Sequence, residues 1–221
     1  MAHIFFDFDS TLVSIETLDF LIEKSIVKDK EKIAELHKIT TAGMNGNLLL
    51  FDSLKRRISQ ANISKEHIDE LTKLLPTFIT KDLKGLIKKL HQKGHSVYIL
   101  SGGFSDYMHH VAQTLNIPLE RVLANSFTYD SKGDVNGFIE ENPLCKNDGK
   151  GQVIHQLNLK QKIIMVGDGM TDLEVFQQKK CDEFIGFGLH EKRDIIKQQA
   201  PHFAENMSEF KTIINKLLLK I

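Results

Sequence analysis

Three short runs without polar–apolar alternation constrain this chain most: AHIFFDF at 2–8, SVYIL at 96–100 and KIIMVG at 162–167. A strand that does not alternate is buried on both faces, the pattern of a parallel sheet covered by helices on each side. Each run stops abruptly. The first runs into Asp7 and Asp9, the second into Ser101-Gly102-Gly103, and the third into Asp168-Gly169. Helical patterns precede the later two, DLKGLIKKLHQKG with Gly94 as its stop, and GKGQVIHQLNLKQ. Strands alternating with helices predict right-handed βαβ units, hence an α/β fold with a Rossmann-like, doubly wound parallel sheet. Ligands of such sheets gather at the carboxyl ends of the strands, so the three endings should converge on one edge.

From residue 16 to residue 79 the pattern changes. ETLDFLIEKS, KEKIAELHKITTAGM, LLLFDSLKRRISQ and SKEHIDELTKLL all space apolar residues near 3.6, which predicts a helical cap inserted after the first strand, on a core of residues 1–15 and 80–221. Downstream, VLANSFTYDSKGDVNGF predicts a hairpin about DSKGD. The tail reads as a helix, a short strand EFIGFG and a closing helix MSEFKTIINKLLLK.

Charge excludes some functions. Lys+Arg and Asp+Glu balance at 29 each, so no global field would concentrate nucleic acid or hold the chain on an anionic membrane, and a small molecule is the expected partner. No stretch is apolar for long enough to span a bilayer, and the N-terminus lacks the order of a signal peptide. Cys145 and Cys181 stand alone, without zinc-like spacing, which suits a reducing cytoplasm. The ten histidines are scattered without ligand spacing. No feature sets an oligomeric state.

The strand endings carry the chemistry. Taken alone, Asp7-Phe8-Asp9 could be a solvated strand end whose Asp9-Ser10-Thr11 caps a helix. Recurrence of acid, Ser-Gly-Gly and acid at one edge favours a site. Two neighbouring carboxylates repel unless a cation lies between them, and Mg²⁺ accepts hard oxygen ligands while leaving room for a substrate phosphate. Asp7, Asp9 (through its carbonyl or its carboxylate) and Asp168 are candidate ligands. Ser101 offers a hydroxyl, and the Gly102 backbone an unhindered N–H, to phosphate oxygens. Lys150 can neutralise a transferring phosphoryl group, although by itself it reads more readily as a solvated residue at a helix start.

DFDSTLV, SGGF, the Lys of GKGQVI and GDGMTD, in that order, resemble the four motifs of the haloacid dehalogenase-like hydrolases, and more closely those of the phosphoserine phosphatases. That resemblance covers most of the chain and implies a Mg²⁺-dependent phosphomonoesterase that releases L-serine and phosphate from O-phospho-L-serine, in serine biosynthesis, through an aspartyl-phosphate. It implies Asp7 as nucleophile and Asp9 as general acid and then base. Ser101, Gly102 and Lys150 would hold the phosphoryl oxygens, and Thr171 would sit near the phosphate or metal waters. Asp168 would bind the metal and Asp172 orient it from behind, although a first-turn acid complementing the helix dipole explains Asp172 nearly as well. Gly167 and Gly169 are expected to be geometric.

In the cap, Glu16 matches the acid that meets the substrate ammonium, and Arg57 the arginine that pairs with the substrate carboxylate, with Arg56 one position away. Leu50 stands where the family usually has Phe, Phe51 lies one residue along, and Met44 resembles a cap Met near the site. A phosphatase for another small metabolite would share this core and differ in the cap. A receiver-type signalling domain also uses Asp, Mg²⁺ and Lys, but it needs no cap and carries its phosphoacceptor after a middle strand; here the middle strand is expected to end at Ser-Gly-Gly with the acids flanking it. A non-catalytic relative would not keep every chemical position filled.

Overall fold

The computed structural model describes residues 1–26, 29–44 and 47–219. Its first strand, β1 (Ala2–Phe6), is followed by four helices, α1 (Thr17–Ser25), α2 (Lys30–Met44), α3 (Leu50–Ser59) and α4 (Lys65–Leu74). The chain continues through α5 (Leu83–Gln92), β2 (Ser96–Phe104), α6 (His109–Thr114), β3 (Val122–Asn125), β4 (Phe127–Tyr129), β5 (Val135–Phe138) and α7 (Gly149–Gln156). It ends with β6 (Lys162–Gly167), α8 (Met170–Gln177), β7 (Glu183–Phe187), α9 (Asp194–Gln199), β8 (His202–Ala204) and α10 (Met207–Leu218). Gly94, at φ +79°, ends the α5 segment as expected, and His95 N–H donates back to the Leu90 carbonyl.

Six strands form a parallel sheet in the order β3-β2-β1-β6-β7-β8. Its double burial explains the missing alternation. Ile4 and Phe6 enter one apolar cluster with Leu86, Ile87 and Leu90 of α5 and with Phe210 and Ile214 of α10. Phe5, between them, enters the other with Ile154 of α7, Leu173 of α8 and Ile196 of α9. Full burial of a side chain of this size contributes roughly 1.5–3 kcal/mol, so a polar residue on either face of β1 would be costly.

The chain leaves β1 for β2 and β3 on one side and returns through β6 to the other, so the order reverses between β1 and β6. A crevice opens at such a switch point. Register levels the strand ends: Phe6 pairs with both Ile99 and Val166, which brings Asp7, Ser101 and Asp168 to the same edge. The order also corrects one expectation. The strand that carries Ser-Gly-Gly, which runs on past it to Phe104, lies beside β1, and β1 itself occupies the middle with Asp7 at its end.

A second correction concerns residues 122–125. They join the main sheet beside β2 as a parallel edge strand, and only β4 and β5 form the antiparallel hairpin. β-branched and aromatic residues mark a strand without specifying its partner. The short α9 and β8 were not anticipated, being too brief to show a period.

After β1 the backbone makes one tight turn, Phe8–Leu12, in which Ser10 adopts φ +49°. This left-handed conformation is uncommon for a residue with a Cβ and is held by its surroundings. Val13 then bridges Ile79 antiparallel, with Ser14 N–H donating to the Phe78 carbonyl and Thr80 N–H to the Leu12 carbonyl. The chain thus enters and leaves the helical cap at one paired point. Across the site, the hairpin meets the cap through Val135 N–H to the Ile63 carbonyl and through the rings of Phe51 and Phe138.

Candidate active site

Between the sheet edge and the cap lies a cavity of about 360 Å³. Asp7, Asp9, Glu16, Arg57, Ser101, Gly102, Lys150, Asp168, Thr171 and Asp172 all line it, so every candidate residue from the sequence reaches one space.

Asp7 continues the β1 ladder by donating its N–H to the Val166 carbonyl, and its side chain emerges at the switch point. Its Oδ1 accepts from Lys150 Nζ at 2.7 Å. The same ammonium reaches Asp172 Oδ1 at 2.6 Å. Lys150 is 4% exposed, which removes the reading of a solvated helix start. Its position depends on Gly149, because a Cβ there would fall 1.8 Å from the Pro143 carbonyl oxygen. Burial alone would lower the Lys150 pKa, but Asp172 and Asp7 outweigh it and hold the ammonium charged.

Asp172 serves two ends. Its Oδ2 accepts from Gly169 N–H at the start of α8, the capping arrangement, while Oδ1 takes Lys150. Gly167 is required here, since a Cβ would lie 2.2 Å from Asp172 Oδ2. At Gly169 a Cβ would meet the same oxygen at an ordinary 3.5 Å, so sterics do not demand glycine there.

Among the described residues, Asp7, Asp168 and Asp172 form a group whose carboxylate oxygens lie within 4.8 Å of one another. Asp9 is absent from it. Its Oδ1 accepts from Thr17 N–H at 2.8 Å at the start of α1, which holds the carboxylate apart from that group. Asp168 Oδ2 takes Arg193 Nε at 3.2 Å and Nη2 at 3.0 Å.

Burial pushes the Asp9 pKa up to about 7, with Asp7 and Asp168 adding repulsion against the Thr17 hydrogen bonds. Asp168 is likewise raised to about 7 by burial, the Arg193 attraction notwithstanding. Asp172 rises to about 8 by burial and by Asp7, against Lys150.

On the phosphate side, Ser101 is buried and its Oγ accepts from Gly103 N–H at 2.9 Å. Asn125 Nδ2, on the neighbouring β3, donates to the Gly102 carbonyl at 2.8 Å and holds that irregular stretch of β2. Cap residues approach from above. Leu50 forms the apolar wall against Gly102, so the Leu-for-Phe departure leaves that wall in place, while Phe51 faces the hairpin. Glu16 accepts from Ser10 Oγ at 2.7 Å, and burial with Asp9 repulsion lifts its pKa to about 8. Of the two arginines, Arg57 is buried at the cavity and Arg56 is exposed. The Met44 side chain falls outside the described residues.

Sequence reasoning missed Arg193, Asn125 and Asn147, whose Oδ1 accepts from Leu50 N–H at 2.8 Å. For Arg193 a signal existed, because EFIGFG reads as a further parallel strand and its following loop must reach the same edge. The two asparagines leave no pattern in sequence.

A doubly wound sheet with acids at its switch point, under a helical insert, defines a class of hydrolase. The family model described as haloacid dehalogenase-like hydrolase matches residues 4–177. A phosphoserine phosphatase of Mus musculus is 34% identical over 207 residues, spanning 92% of this chain and 89% of the relative. The crystal structure of a phosphoserine phosphohydrolase-like protein from Francisella tularensis superposes with TM-score 0.90 at 31% identity, covering 97% of this chain and 100% of that one. A phosphoserine phosphatase solved as a phospho-aspartyl intermediate analogue gives 0.78 at 28% identity, over 92% and 93% of the two chains. The chain belongs to the haloacid dehalogenase-like hydrolases and, within them, to the phosphoserine phosphatase family; it is an enzyme of the phosphatase type.

Proposed function

We propose that this enzyme hydrolyses O-phospho-L-serine to L-serine and phosphate, with the phosphoryl group carried transiently on Asp7. One observation carries the reading: the Asp7–Lys150–Asp172 ion cluster, the Ser101-Gly102 stretch and the cap residues Glu16 and Arg57 face a common cavity. The phosphoserine phosphatases to which the chain is similar support the choice of substrate.

The lining tests whether a metal fits. Asp7, Asp9, Glu16, Asp168, Asp172 and Glu174 crowd six carboxyl groups against Lys150, Arg57 and Arg193, and burial with mutual repulsion raises the pKa of several of them, as expected of acids gathered where a cation is to sit. Hard oxygen donors so disposed suit Mg²⁺. Asp7, the Asp9 carbonyl and Asp168 would hold it, with Asp172 orienting that group from behind. When bound, the ion would screen the nucleophile from the substrate and draw charge from the phosphoryl oxygens.

A carboxylate oxygen of Asp7 attacks phosphorus in line as the bond from phosphorus to the serine oxygen breaks. Lys150, Ser101 and the Gly102 N–H steady the equatorial oxygens, with Thr171 at the edge of the phosphate site. Asp9 gives its proton to the departing alkoxide; a pKa near 7 keeps a protonated fraction available at neutral pH. Water then attacks the acyl phosphate while Asp9 takes its proton, and the bond from phosphorus to Asp7 breaks to free phosphate. In the cap, taken as residues 16–79 hinged at the Val13–Ile79 bridge, Glu16 would meet the ammonium and Arg57 the carboxylate. Release of L-serine would serve serine biosynthesis, in the reducing cytoplasm that two free cysteines suit.

A second reading keeps the core chemistry and changes the ester. The apolar side chains of Leu50, Leu54, Met170 and Ile195 at the cavity favour it, since a serine moiety does not call on them all. With β1 in the middle of the sheet, strand order no longer argues against a receiver-type domain; the cap over the site does. Mg²⁺-dependent phosphate release across phosphoserine, phosphothreonine, phosphoethanolamine and sugar phosphates separates these readings. Glu16→Gln and Arg57→Ala should raise KM for O-phosphoserine far more than for p-nitrophenyl phosphate. Equal effects on both would remove the amino-acid reading, and an active Asp7→Ala protein would remove the covalent route.

A further inference from the structure

Arg57 is held by residues that no motif marked. Its Nη1 donates to Asp19 Oδ1 at 3.1 Å and to Thr40 Oγ1 at 3.4 Å, and Thr40 Oγ1 itself donates to Asp19 Oδ1 at 2.8 Å. The three side chains come from α3, α1 and α2 in turn, and all are buried, Arg57 at 7%, Asp19 at 5% and Thr40 at 7% exposure. A buried ion pair of this kind, even with a hydroxyl beside it, adds little net stability over an apolar replacement, because desolvating the charges offsets their attraction. Its geometry has a use instead. With Nη1 occupied and Nε buried without a hydrogen-bond partner among the described residues, Nη2 is the donor that remains for the cavity Arg57 lines. An orphaned charged donor is costly unless a ligand completes it. The matching ligand is an anion, and a carboxylate accepts a charge-assisted hydrogen bond from a guanidinium N–H.

We propose that Asp19 and Thr40 are positioning residues: they fix the rotation of Arg57 about its long stem so that the part of its guanidinium they leave unoccupied faces the cavity for the carboxylate of the substrate. The proposal rests on the phosphoserine reading for that carboxylate. Without the clamp the four-bond arginine side chain would have to be ordered at each binding event, an entropic cost that appears in KM. Glu16, the extended residue just before α1, lines the cavity, and Asp19 follows in the first turn, so the start of one helix would set the partners of both the ammonium and the carboxylate.

The test compares kcat/KM on O-phosphoserine with that on O-phosphoethanolamine, which keeps the ammonium and lacks the carboxylate. Loss of active protein lowers both values equally, so their ratio is insensitive to partial unfolding. Asp19→Asn and Thr40→Val should each lower the ratio, by about tenfold for Asp19→Asn where a charged hydrogen bond is lost, with the change in KM for O-phosphoserine. Thr40→Ser, which restores the hydroxyl, should recover it. In an Arg57→Ala background Asp19→Asn should have no further effect on the ratio, since the clamp then holds nothing. A ratio within about twofold of wild type in both Asp19→Asn and Thr40→Val, alongside a drop in Arg57→Ala, overturns the positioning role. If Arg57→Ala also leaves the ratio intact, the phosphoserine reading itself has failed and takes this inference with it.

Discussion

Replacing Lys150 with Met removes one cation from between two carboxylates, and the structure indicates what that costs and when. The ammonium lies 2.7 Å from Asp7 and 2.6 Å from Asp172. Asp7 retains 13% side-chain exposure and can draw on water, whereas Asp172 at 1% cannot, so the penalty falls on Asp172. Removing one partner of a buried ion pair typically costs about 3–5 kcal/mol. Asp172 can avoid that cost by holding a proton, and burial with Asp7 repulsion already lifts its pKa to about 8. Loss of Lys150 raises it further above the unfolded value, so the native state binds the extra proton, and stability declines with rising pH by about 1.4 kcal/mol per pH unit per proton. The Lys150→Met penalty should therefore be slight up to about pH 8 and grow above it by about 1.4 kcal/mol per pH unit toward about 3–5 kcal/mol. Urea denaturation of the metal-free protein in chelator, wild type against mutant across this range, reads it directly. Mg²⁺ should narrow the gap at high pH by taking over the missing charge. A penalty that is flat with pH, or larger in acid, would refute the reasoning.

Turnover of Asp9→Asn should fall by about 10²–10⁴ while Mg²⁺ binds within a few-fold of wild type by titration calorimetry, because the carbonyl of residue 9 survives; wild-type rates would exclude the acid–base role. Since burial lifts Asp168 to about 7 and Asp172 to about 8, Mg²⁺ binding should expel protons and weaken as pH falls through about 7, visible as a buffer-dependent binding heat. A heat identical in buffers of different ionisation enthalpy would contradict those raised values. Gly167→Ala should cost about 1–3 kcal/mol, as the new Cβ would fall 2.2 Å from Asp172 Oδ2, and Gly169→Ala should be milder at 3.5 Å; equal thermal shifts would refute the distinction.

Much of this enzyme is local and therefore readable along the chain. A strand buried on both faces must be apolar throughout, so β1, β2 and β6 were visible, and an amphipathic helix must repeat near 3.6, so the four cap helices were visible too. Chemistry placed where an apolar run breaks inherits that legibility: Asp7, Asp9, Ser101 and Asp168 sit there, while Lys150, at the start of α7, was legible only through the motif it belongs to. What tertiary structure alone decided are relations between distant segments. Sheet order put β1 in the middle, because either side of a strand can accept a parallel neighbour and no single strand records which. The same limit drew Val122–Asn125 into the sheet, turned the Asp9 carboxylate to Thr17, brought Arg193 onto Asp168 and closed Asp19 and Thr40 around Arg57. Such contacts depend on where packed elements come to rest, and the spacing of residues along one chain does not carry that distance.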